Sequence, residues 1–209
     1  MSVELNGFRY SVYTWIARLA LLEKGVAYQA IEVNPFSESG HPAHPFGKVP
    51  LFIHDGFRLY ETAAITKYVD AAFPGPSLMP KDVQERARID QIICIIDNYA
   101  YWPLVRQLFA HGIFLKAIGQ SPDQAEFAAG MKAAPRVLSA LDALICDQGV
   151  MQTGQVSLAD IHLGPVISYS MMVPEMTNLL AACDRLSDWW RCIAARPGML
   201  TTKPRLPVV

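Results

Sequence analysis

The sequence predicts a small α/β amino-terminal domain followed by an all-α carboxy-terminal domain. Two observations carry that expectation. Early in the chain, short β-compatible runs are interleaved with helical ones, and Asp55-Gly56 folds two of the runs into a hairpin. A cluster of Pro74, Gly75, Pro76 and Pro80 then interrupts the chain, and beyond it apolar residues recur at helical spacing. The expected organisation is a first domain at residues 1–74, a linker at 75–82 and a helical domain at 83–209.

The first strand covers residues 3–6, and Gly7 starts the turn out of it. The helix that follows places Trp15, Leu19 and Leu22 on one inner face with Ile16 beside them, and Gly25 supplies a left-handed stop. Residues 28–33 alternate as a second strand. The next stretch, NPFSESGHPAHPF, carries three prolines and little periodicity, so it is expected to hold at most a turn of helix.

Residues 51–54 and 57–60 pair as the hairpin, because Asp55-Gly56 reaches positive φ easily. Pro50 leads into the first of these strands and holds Val49 extended, leaving Val49's N–H and C=O free to pair elsewhere. An extended backbone of that kind can receive a peptide-like ligand in β fashion. After the hairpin the period changes at Glu61 and Thr62, and Ala64, Ile65, Tyr68 and Val69 form the inner face of a helix whose first turn offers free N–H groups to an anion. Taken singly, Val49-Pro50 is equally an ordinary trans step into a strand, and Thr62 a helix cap.

In the second domain a long helix from residue 83 to about 116 turns Ile89, Ile92, Ile93, Ile96, Tyr99 and Leu104 inward, with a bend at Pro103. A second long helix covers 123–146, with Pro135 marking a break or kink. Ser157 and Asp160 form an S-x-x-D capping pair, and Val156 and Ile161 take the two positions of a hydrophobic staple. The last helix ends at Pro197-Gly198, before a tail without an element signal.

A net charge of −1 and the absence of basic runs exclude long-range attraction for nucleic acid. No apolar run reaches membrane-spanning length and no export signal opens the chain, so a cytoplasmic protein is expected. The 52% apolar content implies a large core or a greasy pocket and interface. Cys94, Cys146, Cys183 and Cys192 lack a C-x-x-C pair and are expected as buried free thiols, and neither they nor the five histidines imply a metal site.

The segment FGKVPLF, followed by a hairpin and YETAAITKY, resembles the glutathione-binding signature of the cytosolic glutathione transferases, nearest to their serine-type phi, theta and zeta classes. The resemblance implies a thioredoxin-like first domain, a cis Val49-Pro50 bond, and backbone pairing of Val49 with the cysteinyl unit of glutathione. It implies that Glu61 and Thr62 hold the γ-glutamyl end, an ammonium on the carboxylate and a carboxylate on the Thr62 donors. For the glycine end, His41, His44 and Lys48 are the available groups, each of them also readable as a solvated surface residue.

Chemistry in that family depends on a group at the start of the first helix, here RYSVYTW. Ser11 aligns with the serine of the phi-type pattern, with Tyr13 and Tyr10 as competitors; Ser11 equally suits an N-cap. A thiol of pKa about 8.5 is only about 3% ionised at pH 7, and lowering it by about two units makes roughly three quarters thiolate for about 2.7 kcal/mol. By the same resemblance Tyr101, Trp102, Arg106 and Phe109 line an electrophile pocket, although aromatics at this spacing also build plain core. The implied activity is conjugation of the glutathione thiolate to a small hydrophobic electrophile by a homodimer, with glutathione as co-substrate and no metal. The alternatives are glutathione-dependent isomerisation, dehalogenation or ether cleavage on the same fold, or a non-catalytic binding or regulatory relative.

Overall fold

The computed structural model describes residues 1–37, 40–41, 43–145, 151 and 154–207. The chain divides into two units, Met1–Ser77 with Thr201–Pro204, and Leu78–Leu200 with the residues from Arg205 on. The division falls within the expected linker, while residues 201–204, placed by the sequence in the helical domain, count with the first unit.

The first unit is a four-stranded mixed sheet in the order β2-β1-β3-β4, formed by β1 (Val3–Gly7), β2 (Gln29–Glu32), β3 (Leu51–His54) and β4 (Phe57–Leu59). Strand β1 runs parallel to β2 and antiparallel to β3, and β3 is antiparallel to β4. Asp55 (φ 47°) and Gly56 (φ 86°) make the expected turn of positive φ. Two helices complete the unit, α1 (Val12–Glu23) and α2 (Thr62–Ala72). Lys24, almost fully buried, ties the end of the unit together through Nζ bonds to the Asp70 carbonyl (3.0 Å), Asp70 Oδ1 (3.2 Å) and the Pro76 carbonyl (3.0 Å).

The register decides where the loops meet. Asn6 lies opposite Leu51 and Phe52 opposite Leu59, so the chain leaving β1, the chain entering β3 and the chain leaving β4 all emerge at one end of the sheet. The starts of α1 and α2 and the Val49-Pro50 junction therefore share that end.

Three expectations for this unit change. Leu22 is 43% exposed, because it stands one turn after Arg18 on the more open stripe of α1, while Val12, Trp15, Ile16 and Leu19 are buried. In α2 the inner face is Thr62, Ile65, Thr66 and Val69, and Ala64 faces out; the two threonines, polar by type, carry the stripe. The alternation in β2 does not translate into burial, since three of its four residues are exposed on an edge strand.

The second unit is helical. Its first rod begins as α3 (Val83–Ile95), widens to π-helix at Ile96–Ala100 and again at Trp102–Phe114, and ends in α4 (Leu115–Ala117). Ile89, Ile92, Ile93, Ile96 and Leu104 are buried as expected, but Tyr99 is 66% exposed. The reason is the change from i→i−4 to i→i−5 bonding: through the π stretches the fully buried line runs Ile96, Ala100, Leu104, Leu108, every fourth residue, and Tyr99 falls off it. Pro103, which has no N–H to give, sits in this stretch.

α5 (Gln124–Leu144) continues through Pro135 without a break among its described residues, and α6 (Leu158–Ser170) is buried on every side. The capping box of Ser157 and Asp160 is present, with Val156 and Ile161 buried beside it. α7 (Met176–Ala181) and α8 (Asp184–Ala194) follow. Pro197 does not end the fold but opens α9 (Pro197–Thr202), a position where its missing N–H costs nothing. Thr202 accepts the Trp15 indole N–H at 2.7 Å. Of the cysteines, Cys183 is buried while Cys94 and Cys192 are exposed, all three free; apolar neighbours in sequence do not hold them in the interior, because each exposed one lies beside, not on, the buried stripe of its helix. Cys146 lies outside the described residues. No described helix is long and apolar enough to cross a membrane, and no described cluster of His, Cys, Asp and Glu is grouped to hold a metal ion.

Candidate active site

The site is built at the shared end of the sheet. Between β2 and β3 the described backbone forms turns without a helix, and residues 40–47 close on themselves through His41 N–H to the Gly47 carbonyl (3.1 Å), His44 N–H to His41 (3.0 Å) and Gly47 N–H to His44 (2.9 Å). Gly40, at φ 55°, allows this closure: a Cβ there would stand 2.7 Å from the Gly47 oxygen.

This closed loop corrects the picture of solvated histidines, because His41 and His44 are 5% and 6% exposed. Each ring accepts a backbone N–H at Nδ1, from Ala43 and Phe46 respectively, both at 3.1 Å. In the neutral ring the proton then resides on Nε2. His41 Nε2 is buried and has no partner among the described residues, which leave this donor unsatisfied. Burial lowers the pKa of His44, with Glu61 opposing and His41 and Lys48 reinforcing the shift, so these four groups share one electrostatic neighbourhood. The ring of Tyr60, a residue the sequence did not single out, packs 4.9 Å from His44; its place beside Glu61 in the chain was the available signal.

The Val49-Pro50 bond is cis, and neither the N–H nor the C=O of Val49 has a hydrogen-bond partner among the described residues. Pro50 is buried and Lys48 exposed. Glu61 stands at the N-cap of α2 with φ 67° and ψ 113° and makes no side-chain cap bond. Such a backbone costs an acidic residue on the order of 1–3 kcal/mol, a strain that structures keep where geometry serves a ligand. Thr62, next in line, is buried at the first turn.

Ser11 is the N-cap of α1, its Oγ accepting the Thr14 N–H at 3.2 Å. That bond uses the hydroxyl as an acceptor and leaves its proton free to donate. Gly7 makes room for the arrangement, since a Cβ there would meet Thr14 Cγ2 at 2.3 Å. Tyr10 and Tyr13 are partly exposed on either side, with Tyr10 edge-on to Phe8 at 5.3 Å. Among the described residues no hydrogen bond or ring contact joins Ser11 to the group around His44; the sheet register places both at one end.

Matches to known families decide the identity of this arrangement. The family model for the glutathione S-transferase N-terminal domain matches residues 5–77, and that for the C-terminal domain matches residues 101–197. The chain belongs to the glutathione S-transferase family. It is 27% identical over 193 residues to glutathione S-transferase F9 of Arabidopsis thaliana, covering 89% of each chain. Its fold matches glutathione S-transferase III in apo form at TM-score 0.83 with 21% identity, covering 100% of this chain and 99% of that one. It also matches glutathione S-transferase I bound with lactoylglutathione at TM-score 0.81 and 22% identity, covering 97% and 98%. The first unit is thus the thioredoxin-like half of this glutathione S-transferase and the second its helical half.

In the helical half, Tyr101, Trp102 and Arg106 stay together. The Arg106 guanidinium lies 6.0 Å from the Trp102 ring centroid, Trp102 is 55% exposed, and burial raises the Tyr101 phenol pKa while the Arg106 charge works against it. Phe109 parts from them: it is buried and stacks on Tyr169 with centroids 4.1 Å apart and planes 4° from parallel. The wider π turn that exposes Tyr99 also carries Phe109 into the core.

Proposed function

We propose that this glutathione S-transferase conjugates the thiolate of glutathione to a small hydrophobic electrophile, the sulfur forming a bond to carbon while a conjugated bond takes up the electron pair or a leaving group departs with it. Residues 1–74 bind glutathione and residues 83–209 receive the electrophile. Val49 pairs through its backbone with the cysteinyl unit beside Pro50. Glu61 takes the γ-glutamyl ammonium and Thr62 the carboxylate, at the positive end of α2. The Nε2–H groups of His41 and His44, with Lys48, meet the glycine carboxylate. Ser11 donates to the sulfur, with Tyr13 and Tyr10 as its neighbours, and Tyr101, Trp102 and Arg106 contact the electrophile, without Phe109. The protein works in the cytoplasm as a two-fold homodimer, a state that the exposure of Phe36 (66%), Phe46 (70%) and Leu200 (65%) favours; a monomeric mass by light scattering at micromolar concentration would remove it.

One observation carries the glutathione assignment: the Val49 backbone, unpaired among the described residues, and the strained Glu61 at a helix start belong to the same end of one sheet. Calorimetry tests it. Glutathione is expected to bind the wild type, and Glu61→Ala to weaken that binding by about tenfold or more, the loss of a charge-assisted pair. Glu61→Gly separates charge from strain, since it relieves the positive φ yet is expected to bind no better than Glu61→Ala. Undiminished affinity in both variants would remove Glu61 from the site, and no binding to the wild type would overturn the function.

A further inference from the structure

The segment Thr201–Pro204 counts with the first unit, although the helices before it build the second. Burial alternates along it: Thr202 and Pro204 are buried, while Thr201, Lys203 and Arg205 are exposed, so one edge of the segment faces inward. On that edge Thr202 is 5% exposed, and its Oγ1 is the acceptor of the indole N–H of Trp15, a side chain with no exposure at all. The segment is a strap laid on α1.

Trp15 stands one helical turn after Ser11 and is bonded to it. The Trp15 N–H donates to the Ser11 carbonyl at 3.0 Å, the Thr14 N–H to Ser11 Oγ at 3.2 Å, and the Ser11 N–H to the Phe8 carbonyl at 2.9 Å. Each of the two residues that bond Ser11 from within α1 is anchored by its own side chain. Thr14 Oγ1 accepts the Phe8 N–H at 3.3 Å and packs where a Cβ on Gly7 would stand, at the end of β1. Trp15 is anchored by Thr202. The strand and the strap therefore each hold one of the residues that fix Ser11. Such fixing matters to a hydroxyl donor, because a hydrogen bond weakens steeply as its angle closes, and a misplacement that begins far from the chemistry still costs rate.

We propose that Thr202 is a positioning residue, which through Trp15 holds Ser11 at the angle from which its hydroxyl donates to the glutathione sulfur. The inference rests on the transferase reading above and adds to it a residue at the far end of the chain that touches neither substrate.

Thr202→Val keeps the volume and removes the oxygen, so the buried indole loses its acceptor and Trp15 must shift. The thiol pKa of bound glutathione, read from thiolate ultraviolet absorbance, is expected to rise by about half a unit, and turnover of a haloaromatic substrate near pH 7 to fall about threefold. The pH profile moves to the alkaline side, and the deficit closes as pH rises past the variant's thiol pKa. Glutathione affinity by calorimetry is expected to change by less than about twofold, because Val49, Glu61 and Thr62 are untouched. Thr202→Ser keeps the oxygen and is expected to restore the wild-type profile. Ser157→Ala, which weakens a cap in the other unit, is expected to leave the thiol pKa in place, and Thr202→Val is expected to add nothing to it in a Ser11→Ala background. Should Thr202→Val fail to fold, Thr202→Ala makes the same comparison with Thr202→Ser. The proposal is overturned if the variants without the oxygen keep the wild-type pH profile while Ser11→Ala shifts it, if Thr202→Ser is impaired as much as they are, if Ser157→Ala shifts the profile equally, or if the shift persists undiminished without the Ser11 hydroxyl. A wild type that binds no glutathione is a different failure: it removes the transferase reading, and the role of Thr202 falls with it.

Discussion

Ser11→Ala is expected to raise the pKa of the bound glutathione thiol by about 1–2 units and to cut turnover with a haloaromatic substrate near pH 7 by about ten- to a hundredfold, the worth of one hydrogen bond to a charged acceptor. The loss has a defined pH dependence. A raised thiol pKa leaves less thiolate wherever the pH lies below it, so the deficit is greatest in acid and neutral solution and closes as pH rises past the variant's own pKa. The same substitution removes the cap that Ser11 Oγ provides to Thr14 N–H, at about 1 kcal/mol of stability. Ser11→Asp separates the two roles, because an ionised aspartate caps the helix as an acceptor but has no proton to give. Full stability with impaired thiolate formation in Ser11→Asp is the expected signature, read from thiolate ultraviolet absorbance and thermal unfolding. If Ser11→Ala leaves both thiol pKa and turnover unchanged, Ser11 is a cap only and Tyr13 or Tyr10 must supply the donor.

What the chain disclosed in advance was local. The Asp55-Gly56 turn, the Val49-Pro50 junction and the Ser157 and Asp160 pair are each dictated by residues within a few positions, where backbone preference and side-chain chemistry suffice. Burial of His41 and His44 depends on a loop that closes through backbone bonds at Gly40 and Gly47, and no periodicity announces such a closure. Phe109 shows a second limit. A helical period of about 3.6 residues projects it beside Tyr101 and Trp102, but the π stretch shifts the phase and sets it against Tyr169, sixty positions along the chain. Local geometry that rests on short motifs was therefore legible, and burial that rests on loop closure and helix phase was not.

Asp160 shows how a residue read locally gains a long-range role, and it carries the largest expected effect on folding. Its Oδ2 accepts the Ser157 N–H (2.8 Å) and the Ser157 hydroxyl (2.7 Å), and its Oδ1 accepts the Trp189 indole N–H (2.7 Å), joining the start of α6 to α8. Burial pushes its pKa above the usual carboxylate value, while the Ser157 and Trp189 donors and the Arg196 charge hold it down. Asp160→Ala strands the buried Trp189 indole N–H and takes the acceptor from two half-buried Ser157 donors, at an expected cost of about 3–5 kcal/mol, or a fall in Tm of about 10 °C. Ser157→Ala removes only the cap and one of those donors and is expected to cost about 1 kcal/mol. Asp160→Asn keeps an oxygen of similar reach but turns an amide N–H₂ toward one donor set, so its cost should fall between the two. Thermal unfolding followed by Trp189 fluorescence gives the order directly. An Asp160→Ala protein no less stable than Ser157→Ala would mean that the indole bond contributes nothing and that α6 is held by its apolar faces alone.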